Sequence, residues 1–227
     1  MSTFTGFPED LIYFLRDLSK NNNRNWFAEN KRRYQSSVVE PVKSFIITMG
    51  ERLPEISMNF VADPRSNGGS MFRIYRDVRF SKDKRPFKEN VGCQFRHIAG
   101  KTAHAPGYYV HIEPDAMFAG GGIWMPPNPI LHQIRTAIVE HPDAWSNVLK
   151  SAESFGGILG DRLKRVPRDF DPDSPHTEDL KLKSIFIKRD FSTDRISSPE
   201  ILDTIFDTFA ESAPLLRFIT QALGLPF

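Results

Sequence analysis

Two stretches in the middle of the chain decide the fold: Val91-Gly-Cys-Gln-Phe-Arg-His-Ile98 and Gly107-Tyr-Tyr-Val-His-Ile-Glu113. Both are rich in β-branched and aromatic residues, which are enriched in β-strands. Met71 to Ser81 has the same character, and Ser184 to Asp190 is predicted to return a later strand to the sheet. Turn-forming residues separate these stretches, as in antiparallel strands joined by loops. We therefore expect a central, mostly antiparallel sheet, with a tight turn at Gly120-Gly-Gly122.

Helical periodicity flanks the predicted sheet on both sides. Gly6 to Ser19 places apolar residues at helical spacing, and the pattern resumes from Arg24. On the C-terminal side, two helices are predicted over Pro199 to Ala210 and Pro214 to Leu223, separated next to the proline. The sequence therefore predicts one α+β domain over residues 1–227, with the central sheet packed against N-terminal and C-terminal helices.

Length and composition limit the class of protein. A chain of 227 residues, 40% hydrophobic and 26% charged, is long enough to bury its own core. The single cysteine, Cys93, cannot form an internal disulfide, which suits a reducing compartment. The start of the chain lacks a basic segment followed by an apolar run, and no stretch reaches the roughly 18 apolar residues that span a bilayer. We therefore expect a cytoplasmic protein without a membrane partner.

Positive charge is concentrated in one part of the chain. The net charge of the whole chain is +2, which is too small to imply a general affinity for nucleic acid. Between Arg65 and Lys101, however, there are ten Lys or Arg residues and only three acidic residues. The densest run is Arg73-Ile-Tyr-Arg-Asp-Val-Arg-Phe-Ser-Lys-Asp-Lys-Arg-Pro-Phe-Lys88, which we call the basic segment.

Alternate side chains of a strand face opposite ways. If the basic segment is extended, its polar residues therefore lie on one face and its apolar residues on the other. Arg76 falls on the apolar face, so it needs a carboxylate or carbonyl partner or a place at the margin of the sheet. Arginine and lysine side chains that converge near a strand end suit a phosphate or a carboxylate. The candidate ligand-binding residues are Arg73, Tyr75, Arg76, Asp77, Arg79, Lys82, Lys84 and Lys88.

Three functions are open for the basic segment. The first is a binding or catalytic pocket for a small phosphorylated or carboxylated molecule, in which Asp77 orients the cations. The second is nucleic-acid binding, with the cations on phosphates and Tyr75 or Phe80 available for stacking. The third is a protein-interaction module whose basic face meets an acidic partner; a ladder of surface salt bridges without a ligand is the structural alternative. We rank the small anion first because Asp77 and Asp83 interrupt the cations.

Other residue patterns assign neither a metal site nor a cofactor. Cys93 and His97 would lie roughly 13 Å apart along one strand, too far to share an ion. Glu113 and Asp115, at the end of a predicted strand, are candidates for an acid and a base beside an anionic substrate. The preferred interpretation is that they neutralise the arginines of the next strand. Enzyme status, cofactor identity and oligomeric state are left open.

The basic segment and a second motif, Asn21-Asn-Asn-Arg-Asn-Trp-Phe-Ala-Glu-Asn-Lys-Arg-Arg-Tyr34, together resemble the domain of unknown function 2461 family, conserved hypothetical proteins of microbes and fungi. The resemblance implies no definite reaction, because the family has no established activity to transfer. Phe87 stands where the family often has tyrosine, so no catalytic phenol is implied at that position. The resemblance covers nearly the whole chain, extending through Gly107-Tyr-Tyr-Val-His-Ile-Glu-Pro114, the glycines before Trp124-Met-Pro-Pro127, Ile134-Arg135 and Leu182-Lys-Ser-Ile-Phe186.

Overall fold

The computed structural model describes residues 4–100, 102 and 104–227. Lys101, the last cation of the charge-rich region, and Met1 to Thr3, at the start of the chain, lie outside the described residues. The helices are α1 (Asp10–Lys20), α2 (Arg24–Glu29), α3 (Lys31–Tyr34), α4 (Glu40–Arg52), α5 (Asn128–Glu140), α6 (Pro142–Ala152), α7 (Thr177–Leu180) and α8 (Ile201–Ala222). The strands are β1 (Val91–Arg96), β2 (Gly107–Glu113), β3 (Ala116–Ile123) and β4 (Ile185–Phe191).

The four strands form one antiparallel sheet in the order β1-β2-β3-β4. The prediction of an α+β fold, with an antiparallel central sheet against N-terminal and C-terminal helices, is confirmed. The register places Cys93 of β1 opposite Val110 of β2, and Val110 opposite Ala119 of β3. All three side chains are buried, so they belong to one face of the sheet.

Helices cover this buried face of the sheet. Residues of α1, α4 and α8 join the buried side chains of β1, β2 and β3 in the larger hydrophobic core. A second core contains Ile185 and Ile187 of β4 with residues of α5, α6 and α8. Helix α8 belongs to both cores, because Phe209 packs in the first and Phe218 in the second. One long helix therefore links the two halves of the hydrophobic interior.

The C-terminal helix corrects the sequence prediction, because α8 is one helix of 22 residues that continues through Pro214. Proline has no N–H group and leaves the carbonyl of Ala210 without its helical donor. Phe209, Leu215 and Leu216 on either side of the proline are buried, so packing maintains the helix across the missing bond. In the part of the chain that the structure describes, no helix combines the length and hydrophobicity that a membrane-spanning segment needs.

The triple glycine lies within β3, so the prediction of a tight turn is wrong. A Cβ atom on Gly120 would lie 2.0 Å from the carbonyl oxygen of Ile187, on the neighbouring strand. A Cβ atom on Gly121 would lie 2.8 Å from Leu216 Cδ1, on α8. Gly122 has a φ of 150°, which side-chain-bearing residues rarely adopt. The glycines are therefore needed for the close approach of β4 and α8.

The prediction of a strand over Met71 to Ser81 is also wrong. Only isolated bridges form there, one of them between Tyr75 and Phe87. Pro86, next to this bridge, has no N–H group to donate, which prevents a continuous ladder. The alternation of exposure nevertheless survives, because Ile74 is buried whereas Tyr75 is exposed. The basic segment is therefore an irregular hairpin at the edge of the sheet.

A charged network ties α1 to the helical turns that follow it. Arg33 donates to Asp10 at 2.5 Å and to Asp17 at 2.7 Å, and the Ser37 hydroxyl donates to Asp10 at 2.6 Å. The hydrogen bond from Arg33 is the main cause that lowers the pKa of Asp10. The ionised form of Asp10 is therefore more stable in the folded protein than in the unfolded chain.

Asp10→Asn is expected to lower the free energy of unfolding at pH 7 by about 1 kcal/mol, because it removes a charge-assisted hydrogen bond that solvent partly screens. The stabilisation by Asp10 is present above the ordinary aspartate pKa of about 3.9 and is lost as the pH falls through the lowered value. Urea denaturation between pH 7 and pH 2 should show a weaker pH dependence in this variant. Asp207→Asn, at an exposed position of α8, is the control, with a change below about 0.5 kcal/mol. Equal pH dependence in wild type and Asp10→Asn would contradict this account.

Candidate functional site

The face of the sheet opposite the helices carries a distinct set of side chains. Because side chains alternate along a strand, Tyr109, His111 and Glu113 of β2 point away from the buried face. The register places Gln94 of β1 beside Tyr109, and Phe118 of β3 beside His111. We call this surface the open face.

A cavity of about 480 Å³ lies on the open face. Its floor includes the backbone of Gly107 and of Gly120-Gly-Gly122. A volume of this size, with mainly aromatic walls and a few polar groups, is typical of a small-molecule site. The aromatic residues of the wall are Phe72, Tyr109, Phe118, Trp124 and Phe186, and the polar ones are Gln94, His111 and Lys188.

Three polar side chains of β2 are hydrogen-bonded in series, and we call Tyr109, His111 and Glu113 the polar triad. The hydroxyl of Tyr109 lies 3.2 Å from His111 Nδ1, and His111 Nε2 lies 3.3 Å from Glu113 Oε2. An ionised carboxylate can only accept, so in the neutral imidazole the proton is assigned to Nε2. His111 Nδ1 then accepts the proton of the Tyr109 hydroxyl.

The electrostatic surroundings keep Tyr109 in its neutral form. Burial is the main cause that raises the pKa of the Tyr109 hydroxyl, and the nearby Glu113 carboxylate raises it further. Burial also raises the pKa of the Cys93 thiol, on the opposite face of β1, to about 12. At neutral pH the tyrosine is therefore a hydrogen-bond donor, and the cysteine is not an activated nucleophile.

Phe118 of β3 is contacted by His111, directly opposite it on β2, and by Lys188, at a diagonal position on β4. The imidazole of His111 stacks on the Phe118 ring with centroids 4.8 Å apart and an interplanar angle of 8°. The Lys188 Nζ atom lies 4.8 Å from the centroid of the same ring. Asp190, whose side chain is largely exposed, forms an ion pair with Lys188 at 2.6 Å. The diagonal contact of Lys188 with Phe118 places an ammonium group beside the aromatic part of the cavity.

Acidic partners hold the tip of the basic segment. Arg76 pairs with Asp83 at 2.7 Å, so its partner is a carboxylate, one of the alternatives that the sequence leaves open. Arg85 pairs with Asp83 at 2.7 Å and with Glu89 at 2.6 Å. The hydrogen bond from Arg85 is the largest cause that lowers the pKa of Asp83. These arginines therefore have structural partners within the hairpin.

Other predicted site residues of the tip face solvent. Asp77 accepts a hydrogen bond from Arg79 at 2.7 Å, which is the main reason that its pKa is lowered to about 2. Lys84 donates to the carbonyl of Val78 at 2.9 Å. Lys82 is exposed, and none of these residues lines the cavity.

Among the predicted cations, Lys88 contacts a residue of the cavity wall, and the charge of Arg73 acts on Lys88. The Lys88 Nζ atom lies 5.3 Å from the centroid of Phe72, a residue of the cavity wall whose ring is 6.1 Å from that of Tyr109. Burial, followed by the charge of Arg73, lowers the pKa of Lys88. Within the described ranges, neither cation forms an ion pair with a carboxylate. Tyr75 packs on Phe87 instead, with ring centroids 5.4 Å apart.

The family comparison covers the whole of this region. The sequence profile described as Conserved hypothetical protein (DUF2461) matches residues 10–218. The chain belongs to the DUF2461 family. The resemblance carried by Asn21 to Tyr34 and by the basic segment is therefore confirmed. Comparisons with curated proteins and with solved structures gave no match.

In this DUF2461 protein the acids at the end of β2 have separate partners. Glu113 belongs to the polar triad, whereas Asp115 pairs with Arg16 of α1 at 3.1 Å. The preferred interpretation of the sequence, that Glu113 and Asp115 neutralise arginines of the next strand, is therefore wrong about the partners of both acids. Asp115 lies in the turn between β2 and β3, where it is directed to the helix layer rather than along the sheet.

The sequence pattern does not single out Tyr109, Phe118 or Lys188 as site residues of the DUF2461 protein. The alternation of side chains along a strand from Gly107 to Glu113 is a sequence signal that puts the three residues of the polar triad on one face. The pairing of β2 with β3 and of β3 with β4, which brings in Phe118 and Lys188, is not readable from local spacing. Within residues 4–100, 102 and 104–227, no group of three or more His, Cys, Asp and Glu side chains is placed to hold a metal ion.

Asn22 positions the basic segment against the N-terminal helices. Its side-chain amide donates to the Phe87 carbonyl at 3.0 Å and to Glu89 at 2.8 Å, and its oxygen accepts from the Phe87 N–H at 3.1 Å. Phe87 is buried and stacks on Phe27 with centroids 4.1 Å apart. Asn22 therefore fixes the base of the hairpin that brings Lys88 to the cavity.

Asn22→Ala is expected to destabilise the DUF2461 protein by about 1–3 kcal/mol, because it leaves partly buried backbone groups of Phe87 without partners. The Phe87 amide should exchange with solvent faster in this variant. Amide hydrogen exchange and urea denaturation measure the two effects. The neighbouring Asn21→Ala is the matched control, because the Asn21 side chain donates only to the exposed end of α1. Equal effects of the two variants would contradict the assigned role of Asn22.

Proposed function

We propose that this DUF2461 protein binds a small molecule in the cavity on the open face. The ligand carries a flat apolar part, such as an aromatic ring, and a carboxylate or phosphate group. The observation that carries the proposal is the cavity itself, in which aromatic walls and glycine backbone meet the polar groups of His111 and Lys188. Aromatic side chains and backbone suit a flat ring, and an ammonium group suits an anion.

Cations at two edges of the cavity supply the anion contacts in this proposal. Lys188 stands on β4, while Lys88 stands over Phe72 at the opposite edge of the sheet, where the charge of Arg73 also acts on it. Lys88 is half buried, so its charge is poorly solvated and an anion would stabilise it. Ligand contacts from the other predicted residues of the basic segment, Tyr75, Arg76, Asp77, Arg79, Lys82 and Lys84, stay predictions.

Nucleic-acid binding is the second candidate, and one observation favours it. Phe80, at the tip of the basic segment, is 96% exposed and lies between Arg79 and the exposed Lys82. An exposed aromatic ring flanked by cations can stack on a base while the cations contact phosphates. We rank it second because the arginines of the tip are paired with Asp77 and Asp83, whereas Lys88, which contacts the cavity wall, forms no ion pair with a carboxylate among the described residues.

A thermal-shift panel tests the first candidate against the second. Phenylpyruvate and phenyl phosphate are expected to raise the melting temperature by several degrees, because a ligand that binds only the folded state stabilises it. The shift should persist at 150 mM salt, since the anion enters a partly buried site. Lys188→Ala and Lys88→Ala should each reduce affinity for the aromatic anions about tenfold, whereas Lys20→Ala, at the exposed end of α1, should leave it unchanged.

The neutral analogue phenylacetamide and a short single-stranded oligonucleotide complete the panel. Phenylacetamide should give a smaller shift than phenylpyruvate because it lacks the charge. A shift with the oligonucleotide alone, abolished by salt and by Lys82→Ala, would contradict the cavity proposal in favour of nucleic acid. Failure of every probe would also contradict it and would favour an acidic partner protein.

We further propose that residues 1–227 form a single domain and that the protein works in the cytoplasm. The sharing of α8 between both hydrophobic cores supports one cooperative unit. The single buried thiol of Cys93 supports a reducing compartment.

A further inference from the structure

We propose that the polar triad makes the cavity a catalytic site, in which Tyr109 removes a proton from a carbon atom of the bound ligand. The substrate class is an aromatic 2-oxo acid, and the reaction is the interconversion of its keto and enol forms. This inference rests on the proposed function, because the same cavity must hold the substrate. It goes further by giving the site a reaction type.

The geometry of the triad points to proton transfer. The Tyr109 hydroxyl donates its own hydrogen to His111 Nδ1, so the remaining lone pairs of its oxygen are available to accept a second hydrogen. Tyr109 and His111 both line the cavity, whereas Glu113 lies outside its lining, next to His111 on β2. Glu113 fixes the tautomer of His111 by accepting the Nε2 hydrogen. In other proton-transfer sites, a hydrogen-bonded series of this kind enables a weak base to remove a proton.

The neighbouring tyrosine of the same strand shows how specific this arrangement is. Tyr108 points to the opposite face, where its ring stacks on Phe209 with centroids 4.7 Å apart. Its hydroxyl is buried and has no hydrogen-bond partner among the described residues. Tyr109 instead places its hydroxyl at the start of a hydrogen-bonded series that ends in a carboxylate. The triad therefore satisfies its polar groups within the strand, whereas Tyr108 contributes its ring to the core.

The step balances in protons and electrons and needs no co-reactant. The C–H bond next to the carbonyl of the 2-oxo acid breaks, and its proton goes to the Tyr109 oxygen as the tyrosine proton moves to His111 Nδ1. The electron pair of the broken bond forms the enolate, while Glu113 balances the imidazolium charge. The relay then returns one proton to the enolate oxygen, which gives the enol and restores the triad.

The other cavity residues match this substrate class. An aromatic ring fits the walls formed by Phe72 and Phe118. Lys188 supplies a positive charge for the carboxylate or for the developing enolate. Tyr109 is the catalytic residue, since its oxygen contacts the substrate. His111 and Glu113 are positioning residues that act through Tyr109.

Hydrogen–deuterium exchange of phenylpyruvate tests the proposal with the full chain. The C3 hydrogens of the probe are followed by proton NMR in D₂O, and binding is measured separately by thermal shift. Wild-type protein is expected to accelerate exchange above the buffer rate. Tyr109→Phe should lower the catalysed rate at least about 100-fold while it retains binding, because the ring remains and only the hydroxyl is lost. Tyr13→Phe, at an exposed position of α1, is the matched control and should keep the wild-type rate.

The positioning residues are tested by separating rate from affinity. Glu113→Gln should lower kcat about tenfold or more, with KM changed less than twofold and the melting temperature nearly unchanged, because Glu113 does not line the cavity. His111→Gln should lower kcat by a similar factor. A merely structural role would instead lower the melting temperature and raise KM.

The outcomes distinguish the two proposals. Phenylpyruvate that binds without accelerated exchange would overturn the catalytic inference and leave the binding proposal standing. Absence of binding would overturn both. Undiminished exchange in Tyr109→Phe would overturn the assignment of the relay.

Discussion

The packing of α8 across one face of the sheet is the contact on which the rest of the structure depends. Gly121 lets the helix approach β3 closely, and buried residues such as Phe209 and Leu216 fill the interface. Burial of each such side chain contributes about 2 kcal/mol. Because α8 takes part in both hydrophobic cores, its packing buries one face of the sheet. The side chains on that face belong to every second residue of the strands.

The side chains between those committed residues are directed to the open face, where packing against a helix does not determine their identity. There the strand β2 carries the polar triad, although apolar residues would be simpler to accommodate in a partly buried position. Tyr109 and His111 are mostly enclosed, so their hydrogen bonds offset a desolvation cost that a hydrophobic pair would not have. Local departures of this kind are expected at functional sites, where chemistry rather than stability selects the residue.

The cations of the basic segment have two different roles beside the open face. Most of its arginines are occupied by acids of the same hairpin, so their charge maintains the shape of the hairpin. Lys88 instead projects over Phe72, whose ring borders the cavity. Asn22 joins the hairpin to the N-terminal helices, so the position of this lysine depends on contacts far from it in sequence.

Local sequence patterns predict the elements of this fold better than they predict its site. Strands β1 and β2 follow from the side-chain character of 91–98 and 107–113. That Arg76 needs a carboxylate or carbonyl partner, or a place at the margin of the sheet, follows from its place in an alternating pattern. The course of β3 through three glycines and of α8 through Pro214 could not be predicted, because close backbone approach and burial override local propensity. The cavity could not be predicted from the sequence either, because Phe72, His111 and Lys188 are brought together only by long-range pairing in and beside the sheet. The dense charge of the basic segment indicates the surroundings of the candidate site, but not the cavity itself.

Backbone amide NMR shift mapping with phenyl phosphate tests the central claim, that the ligand site is the open face, most directly. The amides of Tyr109, His111, Phe118 and Lys188 are predicted to shift most on titration, with smaller shifts at Arg73 and Lys88. Shifts confined to the hairpin tip around Phe80 and Lys82 would contradict the claim and would place the ligand on the exposed cations instead.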